Sequence, residues 1–373
     1  MVEVREVRTR AERKAFVEFP LKLYKGNKWF CPPLYSDEMA IFGPKNIYND
    51  TCDTVYYIAY REGVMVGRIC GIIQKSANAK NSEKRVRFGR FDSIDDQEVA
   101  DALFAAVESW AVAKGMDTAH GPLGFSDLER EGLLIEGFDQ PSTFEEQYNF
   151  PYYQKLIEAC GYTKEVDWTE SQLRVPADYN GNIEKLGEMV MSRYKLRRGP
   201  AKNVDDFIKK YADGLFVLVD KSYEKLYGTV PFTDAMKKQV IDGFRFIVDL
   251  RFVAVVLDEN DKMVAFGVCF PSVADAVRQS GGRITPRMLL RFLKAKRKPR
   301  VIELGLVGVD PDYMSMGIGA AFAGAVMKML REEGIEYAET NLNLEDNIAI
   351  QSLWNCFDRK VNKRRRAYVK KLV

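Results

Sequence analysis

A single histidine, His120, in 373 residues leaves little room for histidine-based chemistry. A zinc site would need to be almost wholly thiolate, and the six cysteines (Cys31, Cys52, Cys70, Cys160, Cys269 and Cys356) include no close pair. The expectation is a reduced chain without a metal. No window approaches the roughly 18 to 20 apolar residues of a membrane span, and the start, Met1-Val-Glu-Val-Arg-Glu-Val-Arg8, lacks the apolar centre of a secretion signal. That predicts a cytoplasmic protein with no stable membrane insertion. Charge is balanced too: 56 basic and 53 acidic residues leave +3, which argues against nucleic acid as the partner of the chain as a whole.

The chain does have enough apolar material for two cores, 46% of its residues. The same order of elements can be read twice. In the first half the strands Val55–Tyr60 and Val64–Ile73 form a hairpin, followed by a strand from Arg85 to Phe91 and a helix from Glu98 to Lys114 with Val99, Leu103, Val107 and Trp110 on one face. In the second half Phe252–Leu257 and Met263–Phe270 form the hairpin, followed by a strand from Val301 to Val309 and a helix from Ala320 to Glu332. The turn formers Pro176-Ala-Asp-Tyr-Asn-Gly-Asn182 separate the copies, predicting domains at 1–176 and 177–373. Residues 274–300 are an Arg- and Lys-rich insertion, read as a solvated basic face, the alternative being a basic amphipathic segment that touches a membrane or an anionic substrate.

The second copy carries the sharper chemistry. Its strand Val301-Ile-Glu-Leu-Gly-Leu-Val-Gly-Val309 runs through Asp310-Pro311 into Met314-Ser315-Met316-Gly317-Ile318-Gly319, then into the helix that starts near Ala320. Glycines at a helix mouth admit a ligand to the backbone, and the free N–H groups of the first turn with the helix dipole suit a pyrophosphate. The first copy has Phe91-Asp-Ser-Ile-Asp-Asp96 there instead: three carboxylates and no glycine, which would repel an anion and read as a helix cap rather than a metal site.

The Met314–Gly319 loop resembles the phosphate loop of the GNAT superfamily, the acyl-CoA-dependent N-acyltransferases, whose motif is Gln/Arg-x-x-Gly-x-Gly/Ala, although Met314 stands at the Gln/Arg position. Asn347 followed seven residues later by Trp354 is similar to the family's Asn and Tyr, with Trp replacing the tyrosine. A wider resemblance covers almost the whole chain, to bacterial tandem GNAT-like proteins, through Phe30–Leu34, Phe91–Asp96, Gly121–Ser126, Gly132–Asp139, Tyr148–Tyr153 and Leu344–Asn347. It implies an α/β (α+β) fold of two tandem GNAT-like domains, each a mixed, mostly antiparallel sheet flanked by helices, with the acyl-CoA site in the second. It further implies that Val307 and Val309 offer backbone groups to the pantetheine arm, and that Met314, Ser315, Met316, Gly317, Ile318, Gly319, Ala320 and Asn347 surround acetyl-CoA or another acyl-CoA.

Glu303 lies six residues before Val309, where some GNAT enzymes carry the general base; the alternative is a structural ion pair. By alternation it shares a face with Gly305, Val307 and Val309. No acid is evident, since Trp354 cannot protonate a thiolate; Cys356 and Tyr368 are the substitutes, while His120 reads as structural. The basic cluster Lys360, Lys363, Arg364, Arg365 and Arg366 reads as a contact for the cofactor's 3′-phosphate or an acidic acceptor, or as an exposed hairpin. The expected reaction is acyl transfer to a small-molecule or peptide amine. The competing readings are a non-catalytic acyl-CoA-binding module and an aminoacyl or peptidyl transferase. The oligomeric state is left open.

Overall fold

The computed structural model describes residues 1–372 and divides into two compact units. The first copy of the element order comprises β1 (Glu3–Glu6), α1 (Arg10–Leu23), α2 (Tyr35–Ala40), β2 (Cys52–Arg61), β3 (Val64–Gln74), α3 (Lys75–Asn81), β4 (Arg85–Ser93), α4 (Gln97–Ala113), β5 (Thr118–Gly121), β6 (Leu133–Glu136), α5 (Tyr152–Ala159) and β7 (Thr163–Arg174). The second comprises α6 (Asn182–Arg193), β8 (Arg197–Arg198), α7 (Val204–Tyr223), α8 (Asp234–Ile247), β9 (Val253–Leu257), β10 (Met263–Pro271), α9 (Ala274–Ser280), α10 (Pro286–Arg297), β11 (Val301–Val309), α11 (Ile318–Glu332), β12 (Tyr337–Thr340), β13 (Asn343–Leu344), α12 (Ile348–Leu353) and β14 (Asp358–Lys371).

Both copies have the topology that the repeated order implies. β1 to β4 form an antiparallel meander, and β4 pairs in parallel with β5 after the α4 crossover. β8 to β11 repeat the meander, and β11 pairs in parallel with β12 after α11. α4 packs so closely on β3 that a Cβ at Gly67 would lie 2.8 Å from Leu103 Cδ1. α11 is approached as closely by α6, where a Cβ at Gly187 would lie 2.8 Å from Ala321 Cα. Small residues at these crossings set the layer spacing.

The compact units cut the chain elsewhere than at residue 176. The first contains Met1–Trp168, Ala274–Leu289 and the chain from Lys363 onward; the second contains Thr169–Val273 and Leu290–Asn362. In the first, the end of β14 lies antiparallel beside β5, with Tyr368 opposite Gly121. In the second, the end of β7 lies antiparallel beside β12, with Leu173 opposite Ala338. The end of the strand that closes each copy in sequence therefore belongs to the other unit's sheet. The inserted segment joins the first unit by main-chain contact: Tyr35 N–H donates to Gly282 O at 2.9 Å.

Candidate functional site

The pairing of β11 with β12 covers Val301–Leu304 against Tyr337–Thr340 and stops there, whereas β11 continues to Val309. From Leu306 to Val309 its only strand partner among the described residues is β10. The chain then turns at Asp310 into a 3₁₀ turn over Pro311–Met316, and Gly317, at φ +78° and ψ 19°, caps α11. That left-handed conformation suits glycine, and among the described residues no side chain caps the helix. Met314, Ser315 and Gly317 are exposed, Met316, Gly319 and Ala320 half-buried, and Ile318 is a buried anchor. A Cβ at Gly319 would meet Leu353 Cδ1 at 3.3 Å.

At the loop entrance sits a feature that the sequence reading missed. Buried Asp310 receives Lys221 Nζ at 2.6 Å and Lys262 Nζ at 3.0 Å. Burial pushes its carboxyl up, but the two ammonium groups and the Asp312 N–H win and hold it at about 2. Two cations, one from α7 and one from the β9–β10 turn, are thereby fixed beside a loop that has methionine at its expected basic position. Tyr313 ties the loop to the same turn by donating to Asp258 Oδ2 at 3.0 Å.

Glu303 is buried on β11, opposite Phe270 of β10 and beside Glu339 of β12, which in turn lies opposite Gln172. Asn362 Nδ2 donates to Glu339 Oε1 at 2.6 Å. The alternation expected for Glu303 fails at one residue. Val268 pairs with Leu306 and Cys269 with Leu304, so Gly305 is an extra residue, a β-bulge that reverses the faces beyond it. Glu303 shares its face with Phe270 and Leu306, toward α7, while Val307 and Val309 join Ile318 and Phe322 on the α11 side. Neither the bulge nor the carboxylate neighbour follows from a period of two; Glu339, another acid within an apolar strand, was the available signal.

The backbone of Val307 and Val309 is in use. Tyr223, the last residue of α7, accepts from Val307 N–H at 3.3 Å and donates to Val307 O at 2.9 Å; Ser222 Oγ donates to Val309 O at 3.2 Å. Two hydroxyls thus hold groups at which the resemblance places the pantetheine arm.

The remaining candidates separate. Asn347 caps α12 by accepting from Ile350 N–H at 3.2 Å. Trp354 is a core residue packed with Phe357, and its indole N–H donates to Asn343 Oδ1 at 2.8 Å. The Cys356 thiol donates to Leu353 O at 3.2 Å, and burial raises its pKa. Tyr368 lies in the core of the first unit with its hydroxyl on Glu158 at 3.3 Å, and His120 is buried in that unit beside Arg85 and Glu165. Burial pushes the histidine down to about 4, outweighing Glu165. Asp96 caps α4, accepting from Val99 N–H at 3.3 Å, and pairs with Arg61. The basic cluster is not an exposed hairpin: it runs along β14, where Lys363 and Arg365 are fully buried and Arg366 forks onto Asp167 at 2.7 and 3.0 Å.

No family model matches the chain. Over 100% of its length it superposes on 99% of a solved tandem GNAT protein from the clavulanic acid biosynthesis pathway, with a TM-score of 0.56 and 13% identity. The fold is that of the GNAT superfamily. Among curated proteins, the GNAT-fold chain is similar to protein YghO of Escherichia coli (strain K12), 27% identical over 382 residues, covering 99% of this chain and 95% of that one. It is also similar to a bacterial ceramide synthase of Caulobacter vibrioides (strain NA1000 / CB15N), 26% identical over 343 residues, covering 87% and 85%.

Proposed function

We propose that the chain is an acyl-CoA-dependent N-acyltransferase that holds the acyl-CoA in its second GNAT copy and acylates a long-chain amine. The observation that carries the reading is the mouth of α11: an uncapped helix N-terminus behind Gly317 and Gly319, at the end of a strand that has parted from its parallel neighbour. The amides of Gly317 to Ala320 would receive the pyrophosphate, and they would carry most of the contact, because Lys221 and Lys262 are balanced by Asp310 and Asp312. The arm would lie along Val307 and Val309 after Tyr223 and Ser222 release them. A ceramide is a long-chain amino alcohol acylated on nitrogen, so the likeness to a ceramide synthase favours a lipidic amine over a peptide.

In the reaction the acceptor nitrogen bonds to the thioester carbon, the carbon–sulfur bond breaks, and the amine proton passes to Glu303. The thiolate takes its proton from solvent, since the Trp354 indole is not an acid and its N–H is committed to Asn343. Calorimetry with a series of acyl-CoAs tests the site: the intact protein should bind, and Gly317→Glu should bind at least about a hundredfold more weakly. Absence of binding to the intact protein ends the acyl-CoA reading. The position of Trp354 favours a second reading, a non-catalytic acyl-CoA-binding module. Glu303→Gln separates the two, because an enzyme loses turnover and keeps binding, whereas a protein that binds acyl-CoA but acylates no long-chain amine is the module.

A further inference from the structure

From Ala276 to Ile302 the chain has nine basic residues (Arg278, Arg283, Arg287, Arg291, Lys294, Lys296, Arg297, Lys298 and Arg300) and no aspartate or glutamate. The remainder has 47 basic residues against 53 acidic, so the near-neutral total conceals a strongly cationic segment. α10 lies within it. Its inner side is held by buried Phe292, whose ring stacks on Phe246 of α8 with centroids 4.5 Å apart and planes at 15°. Its outer side exposes Leu290 and Leu293, at 69% and 58%, and Phe246 beside it is 49% exposed.

Two stripes run along the outer side. Leu290, Leu293 and Arg297 follow one another at intervals of three and four, and Arg291, Lys294 and Lys298 do so beside them. Arg291, Lys294, Arg297 and Lys298 make no ion pair among the described residues, although Arg278 and Arg300 in the same segment pair with Asp275 and Glu336. Lys296 donates to Phe246 O at 3.0 Å, joining the two helices. The exposed leucines are thus flanked along one side by a stripe of unpaired cations, a combination that suits a surface at once apolar and anionic better than a neutral apolar partner.

We infer that the outer side of α10, with the Phe246 edge of α8, docks onto an anionic lipid surface: Leu290 and Leu293 enter the acyl boundary while Arg291, Lys294, Arg297 and Lys298 meet the phosphates. Leucines between cations suit that boundary. A nucleic acid would use the same charges but leave the leucines in water, so the bilayer is the better match. Among the described residues no helix is long and apolar enough to cross a membrane, and this contact requires none. The inference stands on the surface of α10 and does not depend on acyl-CoA binding.

Sedimentation of the full chain with vesicles tests it. The protein should pellet with vesicles of equal parts phosphatidylcholine and phosphatidylglycerol, remain in solution with phosphatidylcholine alone, and be released by salt. Leu290→Ser/Leu293→Ser should weaken partitioning about tenfold with all charges retained, and Lys294→Glu/Arg297→Glu should abolish it. All four side chains are exposed, and an unchanged thermal melt would confirm that each variant is folded. No pelleting of the intact protein, unaltered pelleting of the variants, or displacement from vesicles by duplex DNA would overturn the inference.

Discussion

In both copies of the fold a strand runs on past its parallel neighbour, and the two gaps are closed in different ways. β4 pairs with β5 only as far as Arg87 and His120. Beyond that the chain's own loop fills the space: Leu123 N–H donates to Phe88 O at 2.9 Å, and Leu123 O lies 2.4 Å from where a Cβ on Gly89 would be. The helix that follows is stoppered by Asp96, with Arg61 on both Asp96 and Glu98. In the second copy two side-chain hydroxyls meet the unpaired end of the strand, and among the described residues no side chain caps the helix. A main-chain closure opens only by unfolding, but a tyrosine hydroxyl leaves by rotation. Identical topology is closed by main chain in one copy and by side chains in the other.

Truncation breaks the comparison most severely. A chain ending at Phe357 removes β14, the antiparallel partner of β5 and the source of fully buried Arg365 and Tyr368; the first unit should fail to fold, seen as insolubility or rapid proteolysis. Next is Gly89→Ala, whose methyl would be forced against Leu123 O. It should cost about 3 kcal/mol in urea unfolding, whereas Gly319→Ala, facing only the tip of Leu353, should cost less than about 1 kcal/mol.

A pH difference comes third. His120 is held near pKa 4 in the folded chain against an ordinary 6.5, so between those values the unfolded chain binds the extra proton. Stability is therefore full above pH 6.5 and falls as the pH drops toward 4, by about 2 kcal/mol at pH 5. Unfolding at pH 8 and pH 5 should show that loss, and His120→Gln should remove it. The smallest effect is Tyr223→Phe, which frees Val307 for the arm and should tighten acyl-CoA binding roughly fivefold by calorimetry. An unchanged affinity would mean that the hydroxyl does not compete with the ligand.

The repeated element order was legible because hairpins and amphipathic helices announce themselves locally, as Val99, Leu103 and Val107 do along α4. The loop at Gly317 was legible because positive φ before a helix has a short residue vocabulary. What stayed hidden depends on long-range placement. The bulge at Gly305 inverts the faces assigned by alternation, and it is defined only by the offset of Leu304 and Leu306 against β10. The hydroxyls on Val307 and Val309 come from a helix more than eighty residues earlier in the chain. The basic run from Lys360 to Arg366 looks solvated in composition; Lys360 is indeed exposed, but Lys363 and Arg365 are buried in a strand where Arg365 and Arg366 meet the acids Glu146 and Asp167.

The reciprocal closing strands have a consequence for synthesis. When the ribosome has delivered β5, the first sheet still lacks the neighbour that β14 provides, and at about 5 to 20 residues per second the wait is on the order of tens of seconds. During that time β5 has an unmatched edge, open to pairing with another nascent chain. Folding from the N-terminus in order is therefore unavailable to this molecule: its first unit cannot be finished before β14 is made, and its yield in a cell should depend on whatever shields that edge until β14 arrives.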